Sequence, residues 1–70
     1  MNNDAGRVAT LLGREAGGSL RALKVTLTDG PAAGTTVWIP RSLVKETRRG
    51  PSDENEFDVA EWFCVKEGLV

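Results

Sequence analysis

Seventy residues with ten acidic and nine basic side chains, one cysteine and no histidine describe a single small domain with a net charge of -1. A chain of this size buries only about 60% of the surface its unfolded form exposes, so its stability margin is thin, and with Cys64 as its one cysteine it has no internal disulfide to widen it. The missing histidine excludes Ser-His-Asp and Cys-His nucleophile systems and leaves zinc with one thiolate and carboxylates, a poor ligand set; the expectation is a non-enzymatic protein with no catalytic residue, no cofactor and no metal.

Residues 1–6 (MNNDAG) are polar and expected to fray. They show no basic-then-apolar leader, and no later apolar run approaches membrane-spanning length, so no membrane association is expected. A lone cysteine fits a reducing compartment, and the expected location is cytoplasmic. Residues 7–14 (RVATLLGR) alternate Val8, Thr10 and Leu12 against Ala9 and Leu11 and predict a first strand, closed by a turn at EAGGS. Residues 19–30 give the clearest period of two, with Leu23, Val25 and Leu27 opposed to Lys24, Thr26 and Thr28. Asp29-Gly30-Pro31 and the small residues behind it predict a hairpin loop.

Thr35 to Ile39 are all good strand formers, and Pro40, lacking an amide proton, ends the ladder or marks an edge. Val37 and Ile39 are expected to face the core. A further short strand fits residues 43–48, residues 49–55 read as a mobile polar connection, and EFDV completes the series. At the C-terminal end Asp58 and Glu61 have capping-box spacing, Gly68 sits where a left-handed residue would stop a helix, and Trp62, Phe63, Val65 and Leu69 share one side. The predicted order, four or five β-elements and then a helix, describes a mainly β (β-rich α+β) domain: a small curved antiparallel sheet or an SH3- or OB-like barrel with one short C-terminal helix.

Charge is distributed unevenly. Arg41, Lys45, Arg48 and Arg49 fall within nine residues, and Asp53, Glu54, Glu56, Asp58 and Glu61 follow. One reading neutralises the two runs across a solvated hairpin; the other makes the basic run a contact patch. Trp38 has the same two readings. Packed under the terminal helix against Trp62 or Phe63, it would enlarge a small core; exposed near the basic run, it would stack nucleic-acid bases. Arg41-Ser42 is expected to serve the local turn, Cys64 to be a partly buried filler, and the carboxylates to be exposed and non-catalytic.

The stretch VWIPRSLV and the later EWFCVKEGL resemble a group of small uncharacterised proteins of phages and mobile elements. The matching positions are Trp38, Ile39, Pro40, Arg41 and Ser42, then Glu61, Trp62, Lys66, Gly68 and Leu69, and the resemblance covers roughly residues 20–70. It implies a small β-rich fold with a C-terminal helix and a mobile-element origin, and it implies no activity. The basic KETRRG segment and the loop at residues 30–34 depart from the group's pattern.

The preferred expectation is therefore a protein-interaction module, a phage or mobile-element accessory or inhibitor acting on a host protein, with self-pairing of an edge strand as a route to a homodimer. The alternative is a small nucleic-acid-binding β-barrel. Both draw on the same partner-binding residues, Trp38, Arg41, Lys45, Arg48 and Arg49. Exposure of Trp38 would reverse the preference between them.

Overall fold

The computed structural model describes residues 6–70. The expectation of a frayed start at residues 1–6 therefore lies, except for Gly6 in a turn, outside the described residues. Five strands follow one another along the chain: β1 (Val8–Gly18), β2 (Ala22–Leu27), β3 (Thr36–Pro40), β4 (Val44–Arg49) and β5 (Asn55–Ala60). A 3-10 turn at Arg41–Leu43 separates β3 from β4, and one short helix, α1 (Glu61–Lys66), closes the chain. All pairings are antiparallel, in the order β3-β2-β1-β5-β4, within one unclosed sheet. The edge strands β3 and β4 are thus consecutive in sequence and joined by a single 3-10 turn.

Strand alternation places the core. Leu23, Val25 and Leu27 of β2 are buried beside Ile39 of β3, Leu11 of β1, and Phe57 and Val59 of β5. Each large apolar side chain removed from water contributes about 1.5–3 kcal/mol, which a domain this small needs from every one of them. Gly13 lies in this interior opposite Leu27, where an added Cβ would meet a Val25 methyl at 2.6 Å and the Thr26 carbonyl oxygen at 2.7 Å. A side chain there would push β2 away.

The first strand is longer than its period suggests. Its ladder with β2 continues through EAGG to Gly18, because one extra residue between Glu15 and Gly18 forms a bulge that Gly17, at φ 113°, can adopt. The turn expected at EAGGS is displaced to residues 19–21. Residues 49 and 55 likewise belong to strands, so the connection between β4 and β5 is confined to residues 50–54 and is closed by the Gly50 amide donating to the Glu54 carbonyl at 2.9 Å.

The helix ends as expected and starts differently. Gly68 at φ 72° carries a Schellman closure: its amide donates to Val65 O at 3.2 Å, and that of Leu69 to Cys64 O at 2.8 Å, with both Leu69 and Cys64 in the core. The N-cap is Ala60 and no side chain caps it. Asp58 cannot serve, because β5 runs on to Ala60 against Val8 and holds Asp58 in the ladder. The Glu61 amide is satisfied instead by the Arg7 carbonyl at 2.9 Å. Nor do Trp62 and Val65 share the buried side: the docked residues are Phe63, Cys64 and Leu69, while Trp62 stays 46% exposed, its ring meeting that of Phe63 edge-on with centroids 6.0 Å apart. Cys64 is fully buried, and that burial, followed by the nearby Glu61 charge, pushes its thiol pKa up. Among the described residues, no helix is long and apolar enough to cross a membrane.

Candidate functional site

The outer face of the sheet follows from register. Trp38 pairs with Lys24, and Thr36 pairs with Thr26, which in turn pairs with Arg14. Antiparallel partners project to the same side, as do residues two apart, so these five side chains share one face. Further across, Leu12 pairs with Glu56 and Glu56 with Arg48, and Thr10 pairs with Asp58 and Asp58 with Glu46. The face therefore runs from an aromatic and cationic side on β3, β2 and β1 to a carboxylate-rich side on β5 and β4.

Trp38 is 54% exposed, so it does not pack beneath the terminal helix. The reason is parity. Ile39 and Val37 take the inward positions of β3, with Ile39 fully buried, and Trp38 between them must point out. The Lys24 ammonium lies over its ring, 5.5 Å from the centroid, within cation–π range. Alongside, the Thr26 and Thr36 hydroxyls are hydrogen-bonded at 2.8 Å.

The basic run of the sequence is divided by the fold. Arg41 follows Pro40 on the 3-10 turn; its amide bonds to Arg21 O at 2.8 Å and its Nε to Ser19 O at 2.9 Å, which ties β3 to the β1–β2 hairpin. Lys45 is the extra residue of a bulge between Val44 and Glu46, and its ammonium donates to Ser42 O at 3.2 Å. Arg48 and Arg49 lie on β4, at the opposite edge of the sheet from Trp38. Arg48 is engaged by three carboxylates, Asp58 at 2.8 Å, Glu56 at 3.2 Å and Glu46 at 3.5 Å. Arg49 pairs with Asn55 and, one residue along, projects to the other side of the strand. Of the sequence-derived set, then, Trp38 and Arg41 stand at the β2–β3 side, Lys45 lies beyond the 3-10 turn, and Arg48 and Arg49 belong elsewhere.

Charge regroups accordingly. Residues 7–45 hold six basic and two acidic side chains, a surplus of four positive charges, and residues 46–70 hold three basic and seven acidic, a surplus of four negative charges. At the seam Arg14 meets Asp53 at 2.7 Å and Arg7 meets Glu61 at 3.8 Å. No carboxylate among the described residues lies within 4.0 Å of Arg21, Lys24, Arg41 or Lys45. On the acidic side, the bonds from Arg48 first and from the Thr10 hydroxyl second hold the Asp58 carboxyl below the usual carboxylate range. The same carboxylates raise the Arg48 pKa.

Two contributors escaped the sequence reading. Lys24 stands in plain period-two alternation, and its relation to Trp38 depends on the hairpin register, which the eight-residue connection between Leu27 and Thr36 leaves open. Arg21 sits at the turn of residues 19–21, later in the chain than the EAGGS composition suggests. A cleft of about 370 Å³ borders the β1–β5 part of the sheet, lined by Leu12, Asp29, Pro31, Glu56 and Leu69 among others, and contains none of the cations discussed above. In comparison with known proteins, no family model, no curated protein and no solved structure matches the chain.

Proposed function

We propose that the protein binds single-stranded nucleic acid on the outer face of β1, β2 and β3, with Trp38 as the stacking surface. The observation that supports this most is the exposed Trp38 with the Lys24 ammonium over its ring, on a face where, among the described residues, Lys24 has no carboxylate partner and Arg14 has one, Asp53. A base stacked on an exposed aromatic contributes about 1–3 kcal/mol whatever its identity, and cations beside it neutralise the phosphates. Lys24 flanks the ring directly. Arg21 and Arg41 stand just beyond the next row, where Ala22 pairs with Pro40, at positions of opposite parity to Lys24 and Trp38, so Lys24 is the cation that the register puts beside the ring. The net charge near zero is no obstacle, because it is the sum of two separated surpluses and the acidic side limits the path of the strand to one half of the face.

Titration with oligothymidylate and with duplex DNA at two salt concentrations tests this reading, with Trp62→Phe as background so that fluorescence reports Trp38 alone. Quenching by the single strand is expected, with log affinity falling by about 0.7 per phosphate contact for each decade of salt. Trp38→Ala should weaken binding by about 5- to 150-fold. Affinity that ignores salt, or survives Trp38→Ala unchanged, defeats the reading.

A second reading is favoured by a separate observation: Trp62 and Val65 lie one helical turn apart on α1, both exposed, and Leu20 at the β1–β2 tip is 92% exposed. These suit a cytoplasmic protein-interaction module, acting on a host protein or joining two copies, and the mobile-element origin that the resemblance of the WIPRS and EWFCVKEGL stretches implies fits an accessory or inhibitor role. Recovery of one host protein that is lost with Trp62→Ala and kept with Trp38→Ala would support it over the first.

A further inference from the structure

We infer that the loop of residues 50–54 is an acidic strap that competes with nucleic acid for Arg14, so that Arg14 is a further phosphate-binding residue held in reserve. The inference rests on the nucleic-acid reading above and adds to it a contact and its control. The geometry is set by strand lengths. β5 begins at Asn55, opposite Gly13, so Arg14 extends one residue past the β1–β5 ladder and stands level with the loop. Its guanidinium turns to the loop and donates to Asp53 Oδ1 through Nη2 at 2.7 Å and Nε at 3.2 Å.

Arg14 nevertheless belongs to the binding face. It shares a row with Thr26 and Thr36 and lies one row from Lys24 and Trp38. With strands about 4.8 Å apart and same-face rows about 6.8 Å apart, its Cα is roughly 8 Å from that of Lys24 and roughly 12 Å from that of Trp38. An extended strand stacked on Trp38 and directed across β2 therefore meets Arg14 next.

The contact with Asp53 is easily exchanged. Both side chains are more than half exposed, the arginine at 54% and the aspartate at 72%, so the pair is well solvated and adds little to the fold. The guanidinium–carboxylate bond draws the Asp53 carboxyl below its usual range, so the strap is charged at neutral pH. Glu54 adds a weaker attraction for Arg14 without a hydrogen bond. A phosphate oxygen can accept from Nε and Nη2 as Asp53 Oδ1 does now, a second phosphate oxygen can make the contact bidentate, and binding releases the loop.

The test compares wild type, Asp53→Asn, Glu54→Gln, Arg14→Gln and the Arg14→Gln/Asp53→Asn double variant in the same oligothymidylate titration. Asp53→Asn is expected to tighten binding on the order of fivefold near 50 mM salt and to steepen the salt slope by about 0.7, one additional phosphate contact. Glu54→Gln, which removes the same charge without freeing a bond, should gain less, and the double variant should lose the gain. If wild type binds and Asp53→Asn leaves affinity and slope unchanged, or if the gain persists without Arg14, the strap is wrong while the binding face stands. If no variant binds, Asp53→Asn included, both ideas fall together.

Discussion

The two halves of the sheet share one interior and present opposite exteriors. On β1 to β3 an exposed tryptophan stands among cations with almost no acidic company, whereas on β5 and β4 Arg48 is enclosed by Glu46, Glu56 and Asp58. Closeness in sequence is a poor guide to which cations act together. Arg41 and Arg48 are seven residues apart, yet the 3-10 turn sends the chain from one edge of the sheet to the other between them. Lys24 and Trp38, fourteen apart, are direct cross-strand partners.

The largest expected effect breaks the comparison by removing what the halves share. Phe57 is fully buried, and Phe57→Ala should destabilise the fold by about 3–5 kcal/mol, enough to unfold most of a domain this small. Urea titration followed by circular dichroism measures it; a loss under about 1 kcal/mol would mean that the interior is not the common support described.

Next in size is a contrast between neighbours. Ile39→Ala should cost about 2–5 kcal/mol, and Trp38→Ala, one residue earlier on the exposed face, less than about 1 kcal/mol. Equal losses would place Trp38 in the core after all and remove its availability to a ligand.

The smallest effect sharpens the acidic side. Because the folded Asp58 carboxyl titrates below its unfolded value, its contribution is complete at neutral pH. It declines as pH falls through the unfolded aspartate pKa, about 3.9, and is gone only below the depressed folded pKa. Arg48→Met should therefore leave the core intact and flatten the acid limb of stability against pH. An unchanged acid limb in thermal melts at stepped pH would show that the network is ornamental.

Much of the architecture was legible in the sequence, because period two is a local signal. The inward positions Leu23, Val25 and Leu27 of β2 and Val37 and Ile39 of β3 follow from alternation alone, and Gly68 marks the helix end. Two local errors share one cause, namely that the ladder overrode residue preference. Gly17 and Gly18 looked like a turn but were accommodated within β1 by a bulge, and Asp58 looked like a helix cap but was retained by β5 and bonded to Thr10 and Arg48. The site was less legible. The outward direction of Trp38 was contained in its alternation with Val37 and Ile39, but a small core's need for aromatic mass pulled the expectation the other way. The separation of Arg48 and Arg49 from Trp38 depends on strand order, which no local pattern carries.

The central pairing of β1 with β5 also has a kinetic consequence. Val8 is opposite Ala60, so the ladder joins residues fifty-two apart, while β1, β2 and β3 can pair as a local meander. During synthesis the meander has all its residues long before β5 emerges, and its β1 edge then offers a row of unpaired amides and carbonyls to any other strand. Closing that distant ladder is the step expected to limit folding, in the millisecond-to-second range of non-local β topologies. A newly made molecule is therefore most exposed to mispairing in the interval before residues 55–60 arrive.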